Sequence, residues 1–293
     1  MTLPRWILWA VSPLLVVLLG LSGCAVGNAT GWTMPKRSLD AQVALIEPST
    51  RVYLPENTTE PVPALIMFHG CGGLRQLQDD YAAVALEAGY AVLNVGSNEA
   101  RGIGRLGAMT QVCTAQRLWG QERAADVRAA IALAAQYPGI DSDRLALIGW
   151  SHGGWTILDA LSFSAENRAA PALTGTAPGL PGVRLAIAFY PYCGVLSRHD
   201  SKGLPDTIPV HAILSGSDQV VPTQACVDVL DRARSAGQPV DYEVWDGLSH
   251  AFDEPNPPND PRIRYDAEAA ARAHAHVTAL LDRYLDAAAG PET

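Results

Sequence analysis

The sequence predicts an α/β fold, a mostly parallel β-sheet with helices on both faces. Three observations lead there. Short apolar runs of strand length alternate with stretches of helical periodicity along most of the chain. At Leu145–Gly154 an apolar run, a glycine-rich turn and a helical pattern follow one another directly. The residues best suited to chemistry fall just after strand candidates, at the sheet edge where α/β folds gather their sites.

The chain has 293 residues, 48% hydrophobic and 17% charged, which fits one globular domain with a large core. A net charge of −9 without a basic block argues against a nucleic-acid partner. There is no internal repeat. Near the start, Arg5 precedes the apolar segment Trp6–Leu21, interrupted by Pro13. That segment is short for a membrane span and right for a signal peptide. It ends in Leu21-Ser22-Gly23-Cys24, which resembles the lipobox of bacterial lipoproteins, where the cysteine is lipidated. An ordinary signal peptide cleaved near Gly23 or Ala25 is the alternative. The expected organisation is a signal peptide over 1–23, a tether over 24–40 and a catalytic domain over 41–290. Localisation follows: exported, lipid-anchored through Cys24 in the bacterial envelope, facing the periplasm, with the anchor as the only membrane contact. Removing Cys24 leaves Cys71, Cys113, Cys193 and Cys226, an even number in an oxidising compartment. Two disulfides are expected, with three possible pairings.

In chain order, Val43–Ile46 and Arg51–Leu54 are short strand candidates about the turn Pro48-Ser49-Thr50. Ala64–Phe68 is a fully apolar strand that runs into His69-Gly70-Cys71-Gly72-Gly73. Helical periodicity follows at Tyr81, Val84, Ala85 and Ala88, with Gly89 as C-cap. Ala91–Val95 is a buried strand, Gly96–Gly107 an irregular excursion and Arg117–Tyr137 a long helix closed by Pro138-Gly139. After the Leu145–Gly154 unit come a loop over Ser164–Gly182, a strand at Val183–Tyr190 and another at Pro209–Leu214. Pro222 opens a helix running to about Ala236, Val240–Trp245 is the last strand, and Ala267–Ala287 is a terminal helix.

Gly149-Trp150-Ser151-His152-Gly153 matches G-x-S-x-G between a strand and a helix, the context of a nucleophile elbow. The tight turn strains the serine backbone, and neighbours two residues away must lack a Cβ. Ser151 is therefore the candidate nucleophile. It needs a base, and His250 lies just after the last strand. His152 is adjacent to the serine and cannot fold back onto it. His211 lies within a strand, His199 in the charged loop Ser197–Gly203, and His274 and His276 on the terminal helix, expected on its solvent side. For the acid, Asp218 follows the strand Pro209–Leu214; Asp200 and Asp206 precede it, at the wrong end of the sheet, and Asp246 is too close to the last strand's end. Nucleophile, acid and histidine then occur in the order required of this arrangement.

His69–Gly73, Gly149–Gly154, Gly216-Ser217-Asp218 and Ser249-His250-Ala251-Phe252 together resemble the α/β-hydrolase superfamily and its dienelactone-hydrolase-like branch. The resemblance implies an α/β-hydrolase fold with a mostly parallel eight-stranded sheet, and a serine hydrolase that cleaves a carboxylic ester through an acyl-enzyme. The substrate would be a small-molecule or polymer ester. Dienelactone hydrolases proper use a cysteine where this chain has Ser151, and the glutamate they carry after the third strand is replaced by His69-Gly70. The oxyanion hole falls to the backbone N–H groups of Cys71 and His152, with Gly72 as runner-up for the first; His69 would hold the loop. Trp150, Trp155 and Tyr192 are the expected substrate-lining residues. Within the resembling fold, strand adjacency pairs Cys71 with Cys113 and Cys193 with Cys226. No cofactor is implied, and the histidines and cysteines lack metal-ligand spacing. Other readings are a serine peptidase of the prolyl-oligopeptidase type, a non-catalytic envelope lipoprotein on the same fold, and an enzyme using Cys71 or Cys193.

Overall fold

The structure, a computed structural model, describes residues 34–286 apart from 57, 176–178, 196 and 206. The signal-peptide and lipidation expectations, Cys24 included, lie outside the described residues. Seven strands form one sheet: β1 (Thr50–Tyr53), β2 (Val62–Phe68), β3 (Ala91–Val95), β4 (Ile140–Trp150), β5 (Val183–Phe189), β6 (Val210–Ser215) and β7 (Val240–Trp245). Their order across the sheet is β1-β3-β2-β4-β5-β6-β7. Strand β1 runs antiparallel at one edge, and every other pairing is parallel.

The two-residue period of the strands sorts the core into layers. On β4, Leu145 and Leu147 face one layer, and Ala146, Ile148 and Trp150 face the other. The first layer is covered by α1 (Leu39–Ile46), α3 (Gly120–Ala134), α4 (His152–Ala165) and α5 (Thr223–Ser235). The second is covered by α2 (Gln76–Glu87) and α6 (Ala267–Leu285). Residues Leu145–Trp150, the central stretch of β4, are buried throughout, as a strand covered on both faces must be.

The sheet has seven strands, not the expected eight, because Val43–Ile46 belongs to α1. The Ser38 side chain accepts from the Ala41 N–H at 3.2 Å and starts the helix, with Asp40 in its first turn. Val43 and Ile46, three apart, turn inward together, and Gln42 donates to the buried Asp126 at 2.5 Å. The expected tether also ends earlier than residue 40: Met34 is buried, and Arg37 bridges to Leu173. Helix α3 starts at Gly120 rather than Arg117, since Ala115 and Leu118 adopt positive φ and break the pattern. His274 is half-buried rather than wholly on the solvent side; its ring stands edge-on against Tyr81 at 4.4 Å. Among the described residues no helix is long and apolar enough to cross a membrane.

Both expected disulfides are present, Cys71–Cys113 and Cys193–Cys226. The second joins the segment after β5 to the first turns of α5 and closes a loop of 33 residues. Replacing Cys193 and Cys226 together by alanine should lower the unfolding free energy by about 3–4 kcal/mol through restored freedom of the unfolded chain. An unchanged midpoint in urea denaturation would show that the staple adds nothing.

Candidate active site

Crowding shapes the turn after β4. A Cβ on Gly153 would lie 1.9 Å from the Phe68 carbonyl oxygen at the end of β2, and one on Gly149 would lie 2.4 Å from the Gly153 carbonyl carbon. Only glycine fits either place. With both ends pinned, Ser151 is forced to φ 53° and ψ −111°, outside the regions that side-chain-bearing residues prefer. Its backbone N–H donates to the carbonyl of Phe189, at the end of β5, at 2.8 Å. The hydroxyl is left half-exposed at the head of α4.

The structure brings three separate loops to that hydroxyl. His250 Nε2 lies 2.9 Å from Ser151 Oγ, and His250 Nδ1 lies 2.7 Å from Asp218 Oδ2. The Asp218 side chain is almost wholly buried, and its other oxygen accepts from the Val220 and Val221 N–H groups at 2.8 and 2.9 Å. An acceptor-only carboxylate on Nδ1 fixes the proton there and leaves Nε2 free to accept from the serine. The His250 loop is anchored by the Ser249 hydroxyl, which accepts from the Arg264 N–H at 2.8 Å. Beneath it, the Tyr190 ring stands edge-on to the imidazole at 4.8 Å.

The loop after β2 is held from behind. The Gly70 carbonyl accepts from the Gly73 N–H at 3.3 Å and contacts His69 Nδ1 at 2.6 Å. In a trans peptide the next N–H points opposite to that carbonyl, so the Cys71 amide is turned away from these donors. Asn98 Nδ2 donates to the Cys71 carbonyl at 3.0 Å. His69 thus holds the loop, with its Nε2 accepting from the Asn98 N–H at 3.4 Å. His152 is the first residue of α4, where the N–H has no partner within the helix.

Several participants lie beyond what the sequence suggested. Arg123 on α3 is fully buried, and its Nη1 donates to the His69 carbonyl at 2.7 Å and to His152 Nδ1 at 3.2 Å. Burial and the neighbouring Arg123 charge push the His152 imidazole down to about 3, so it stays neutral. Burial likewise lowers the Arg123 guanidinium to about 10, against the opposing pull of Asp126. A second cluster joins Tyr81 and Tyr190, whose hydroxyls donate to the buried Asp253 at 2.8 and 2.5 Å. Burial raises the Asp253 carboxyl above its ordinary range, while the two phenols hold it down. A signal for Arg123 exists only in hindsight, as a charged residue on an otherwise alanine-rich inward face.

The remaining histidines take structural places. His199 is buried with Nδ1 2.7 Å from Asp159, whose other oxygen accepts from Trp155 Nε1 at 2.7 Å. His211 is half-buried and meets the Tyr284 hydroxyl at 2.9 Å. Asp200 pairs with Arg232 at the surface, and Asp206 lies outside the described residues.

A cleft opens on both sides of Ser151 and His250. One lobe, of about 120 Å³, is bordered by Trp150 and Tyr190; the other, of about 410 Å³, by Trp155 and Tyr192. All three expected lining aromatics therefore border the cleft, although Trp150 and Trp155 are almost wholly buried. The Cys71–Cys113 disulfide borders both lobes. Because Cys71 and Cys193 are both in disulfides, neither offers a thiolate, and the reading of a cysteine nucleophile is withdrawn. Among the described residues no three His, Cys, Asp or Glu side chains are grouped to hold a metal ion.

The fold is similar to that of known proteins. The dienelactone-hydrolase-like promiscuous phosphotriesterase P91 from metagenomic libraries superposes with a TM-score of 0.61 at 17% identity, over 81% of this chain and 92% of that one. An esterase of Thermogutta terrifontis, Est2 with propionate bound, gives 0.55 at 16% identity over 80% and 88%. By sequence, the Probable dipeptidyl-aminopeptidase B of Fusarium vanettenii is 41% identical over 87 residues, 30% of this chain, and the chain spans only 9% of that protein's length. The family model for the dienelactone hydrolase family matches residues 49–285. With that match covering most of its length, the chain belongs to the dienelactone hydrolase family.

Proposed function

We propose that the chain hydrolyses its ester through an acyl-enzyme on Ser151, with His250 as the base and Asp218 as its orienting carboxylate. The observation that carries this reading is the continuous relay from Asp218 through His250 to Ser151, with contacts of 2.7 and 2.9 Å at the junction of the two cleft lobes. The Ser151 oxygen attacks the ester carbonyl while its proton passes to His250 Nε2. The carbonyl oxygen takes the negative charge and rests on the Cys71 and His152 amides. Collapse of this intermediate expels the alcohol, which takes the proton from His250. Water then attacks the acyl-serine, gives a proton to His250, and the acid leaves as Ser151 is reprotonated.

Arg123 supports the oxyanion hole as a positioning residue. It ties the His69 carbonyl to the His152 ring, so one side chain spans the two segments that supply the amides. Its buried positive charge also favours negative charge building nearby.

The same reading puts the enzyme in the cell envelope, tethered through Cys24. The apolar segment ending in Leu21-Ser22-Gly23-Cys24 and the two disulfides support it. A peptidase reading is kept as a competitor on one observation, the local sequence match to a dipeptidyl-aminopeptidase.

Replacing Ser151 by alanine should lower kcat on p-nitrophenyl acetate by about 10⁴-fold or more, and Asp218→Asn by about 10⁴-fold. A fluorophosphonate should add once per chain, at Ser151, as read by mass spectrometry. Retained activity in Ser151→Ala would end the reading, and faster turnover of Gly-Pro-p-nitroanilide than of any ester would favour the peptidase. For Arg123→Met, kcat should fall about tenfold to a hundredfold with KM little changed, and Arg123→Lys should recover part of the loss. Equal kcat in folded Arg123→Met would leave that side chain a packing role alone.

A further inference from the structure

The His250 imidazole has to serve two half-reactions, and its supports differ between them. Before reaction the ring has two partners, Asp218 at Nδ1 and the Ser151 hydroxyl at Nε2. Once Ser151 carries an acyl group it has no proton to donate. The ring then keeps one hydrogen bond to a fixed group, through Nδ1, and a single bond is a pivot. Yet in that half-reaction Nε2 must take a proton from water and return it to the serine oxygen.

One contact to the ring does not depend on the serine proton. The Tyr190 ring packs against the imidazole at 4.8 Å between centres and 60° between planes. Tyr190 is itself fixed from several sides. It is almost wholly buried, its N–H donates to the Ile213 carbonyl at 2.7 Å, and the Phe252 ring stands against it at 5.7 Å. Its backbone holds φ 35°, a strained value for a side-chain-bearing residue that persists only where packing over-determines it.

The Tyr190 phenol closes a circuit. It donates to Asp253 at 2.5 Å, and Asp253 lies three residues after His250 on the same loop. The loop that carries the base therefore grips the ring that presses on the base. That loop is strained too, with Ala251 at φ 50°, and it is pinned where the Asp266 N–H donates to the Phe252 carbonyl at 2.8 Å. The other Asp253 oxygen accepts from Tyr81 on α2 at 2.8 Å. The Tyr81 ring packs in turn on Trp150, the residue before the nucleophile, at 4.9 Å. Burial, and after it the Asp253 charge, hold both phenols well above their ordinary range, so both stay protonated as donors. Asp253 lines neither lobe of the cleft, so any effect it has on turnover passes through this circuit.

We propose that Tyr190 and Asp253 are positioning residues for His250 whose main effect falls on deacylation: they hold the imidazole in place while the acylated serine cannot. This inference rests on the acyl-transfer reading above.

The test separates the half-reactions in Asp253→Asn and in Tyr190→Phe, which keeps the ring and loses only the grip. The rate at which a fluorophosphonate modifies Ser151 reads the attack step. The deacylation constant is kcat on p-nitrophenyl acetate divided by the fraction of Ser151 found acetylated in acid-quenched steady-state samples by mass spectrometry. Both are expressed per modifiable serine, so loss of folded protein does not enter. In Asp253→Asn the deacylation constant should fall about tenfold, while the attack rate, which still has the serine contact, falls less than about threefold. Tyr190→Phe should act in the same direction. The double variant should be no slower than the slower single one, because both substitutions cut one circuit. A purely structural role would lower the midpoint of urea denaturation and leave both constants per site unchanged. Unchanged deacylation in the folded variants, or an equal fall in both steps, overturns the inference; should Asp253→Asn not fold, Tyr190→Phe alone decides. Normal acetylation of Ser151 with unaltered deacylation in the variants sinks the positioning role alone, whereas no acetylation or phosphonylation of Ser151 in the unmutated chain sinks the acyl-transfer reading itself.

Discussion

The close approach of β2, β4 and α4 is the constraint on which the site depends. The Phe68 carbonyl occupies the volume that any side chain at position 153 would need, and Gly149 lies equally tight beneath the same turn. A serine held at φ 53° is strained, and the strain persists because packing on both sides over-determines it. Strand β4 is buried on both faces and paired on both edges, with β2 and β5. A strand covered on both faces and paired on both edges thus carries the residue whose position must be defined most closely.

Behind this turn lies a polar layer within an otherwise apolar core. Arg123 joins the loop after β2 to the head of α4, and Asp126, one turn along α3, pairs with Arg101 at 2.9 Å and accepts from Gln42. One face of α3 therefore ties α1, the segment after β3 and the loop after β2 together. Buried ionic groups of this kind are a poor source of net stability but discriminate sharply between packings, because each misplacement leaves a charge unpaired. On the opposite side of the sheet, Tyr81, Tyr190 and Asp253 form a comparable anchor under the His250 loop.

Much of this was legible in the residues because the signals are local. The elbow glycines, the apolar strands and the positions of Asp218 and His250 after β6 and β7 each follow from short stretches of chain. The disulfide partners follow from strand adjacency in the resembling fold. What was missed depends on contacts between distant segments. Val43–Ile46 reads as a strand because its apolar, β-branched ends suit one; the Ser38 cap and the Gln42–Asp126 contact decide for a helix. Arg123 looks like a solvent-facing helix residue until His69 and His152, from two other elements, are packed against it. His199 offers a second buried Asp–His pair that the sequence places in a loop, held there by the Trp155 indole and the Arg198 and His199 N–H groups on the same carboxylate. Periodicity reports which face is buried, not which polar group that face must satisfy.

The Cys71–Cys113 bridge ties the loop after β2 to the wall spanning residues 103–118, whose own apolar cluster is Ile103, Ala108, Val112 and Leu118. Oxidation state and cleft shape are thereby coupled. A chain matured where thiols stay reduced would keep its sheet and its buried polar layer, yet the rim would be free to swing outward. Recombinant material from a reducing cytosol and material from an oxidising one would then share a fold and differ in which molecules they admit.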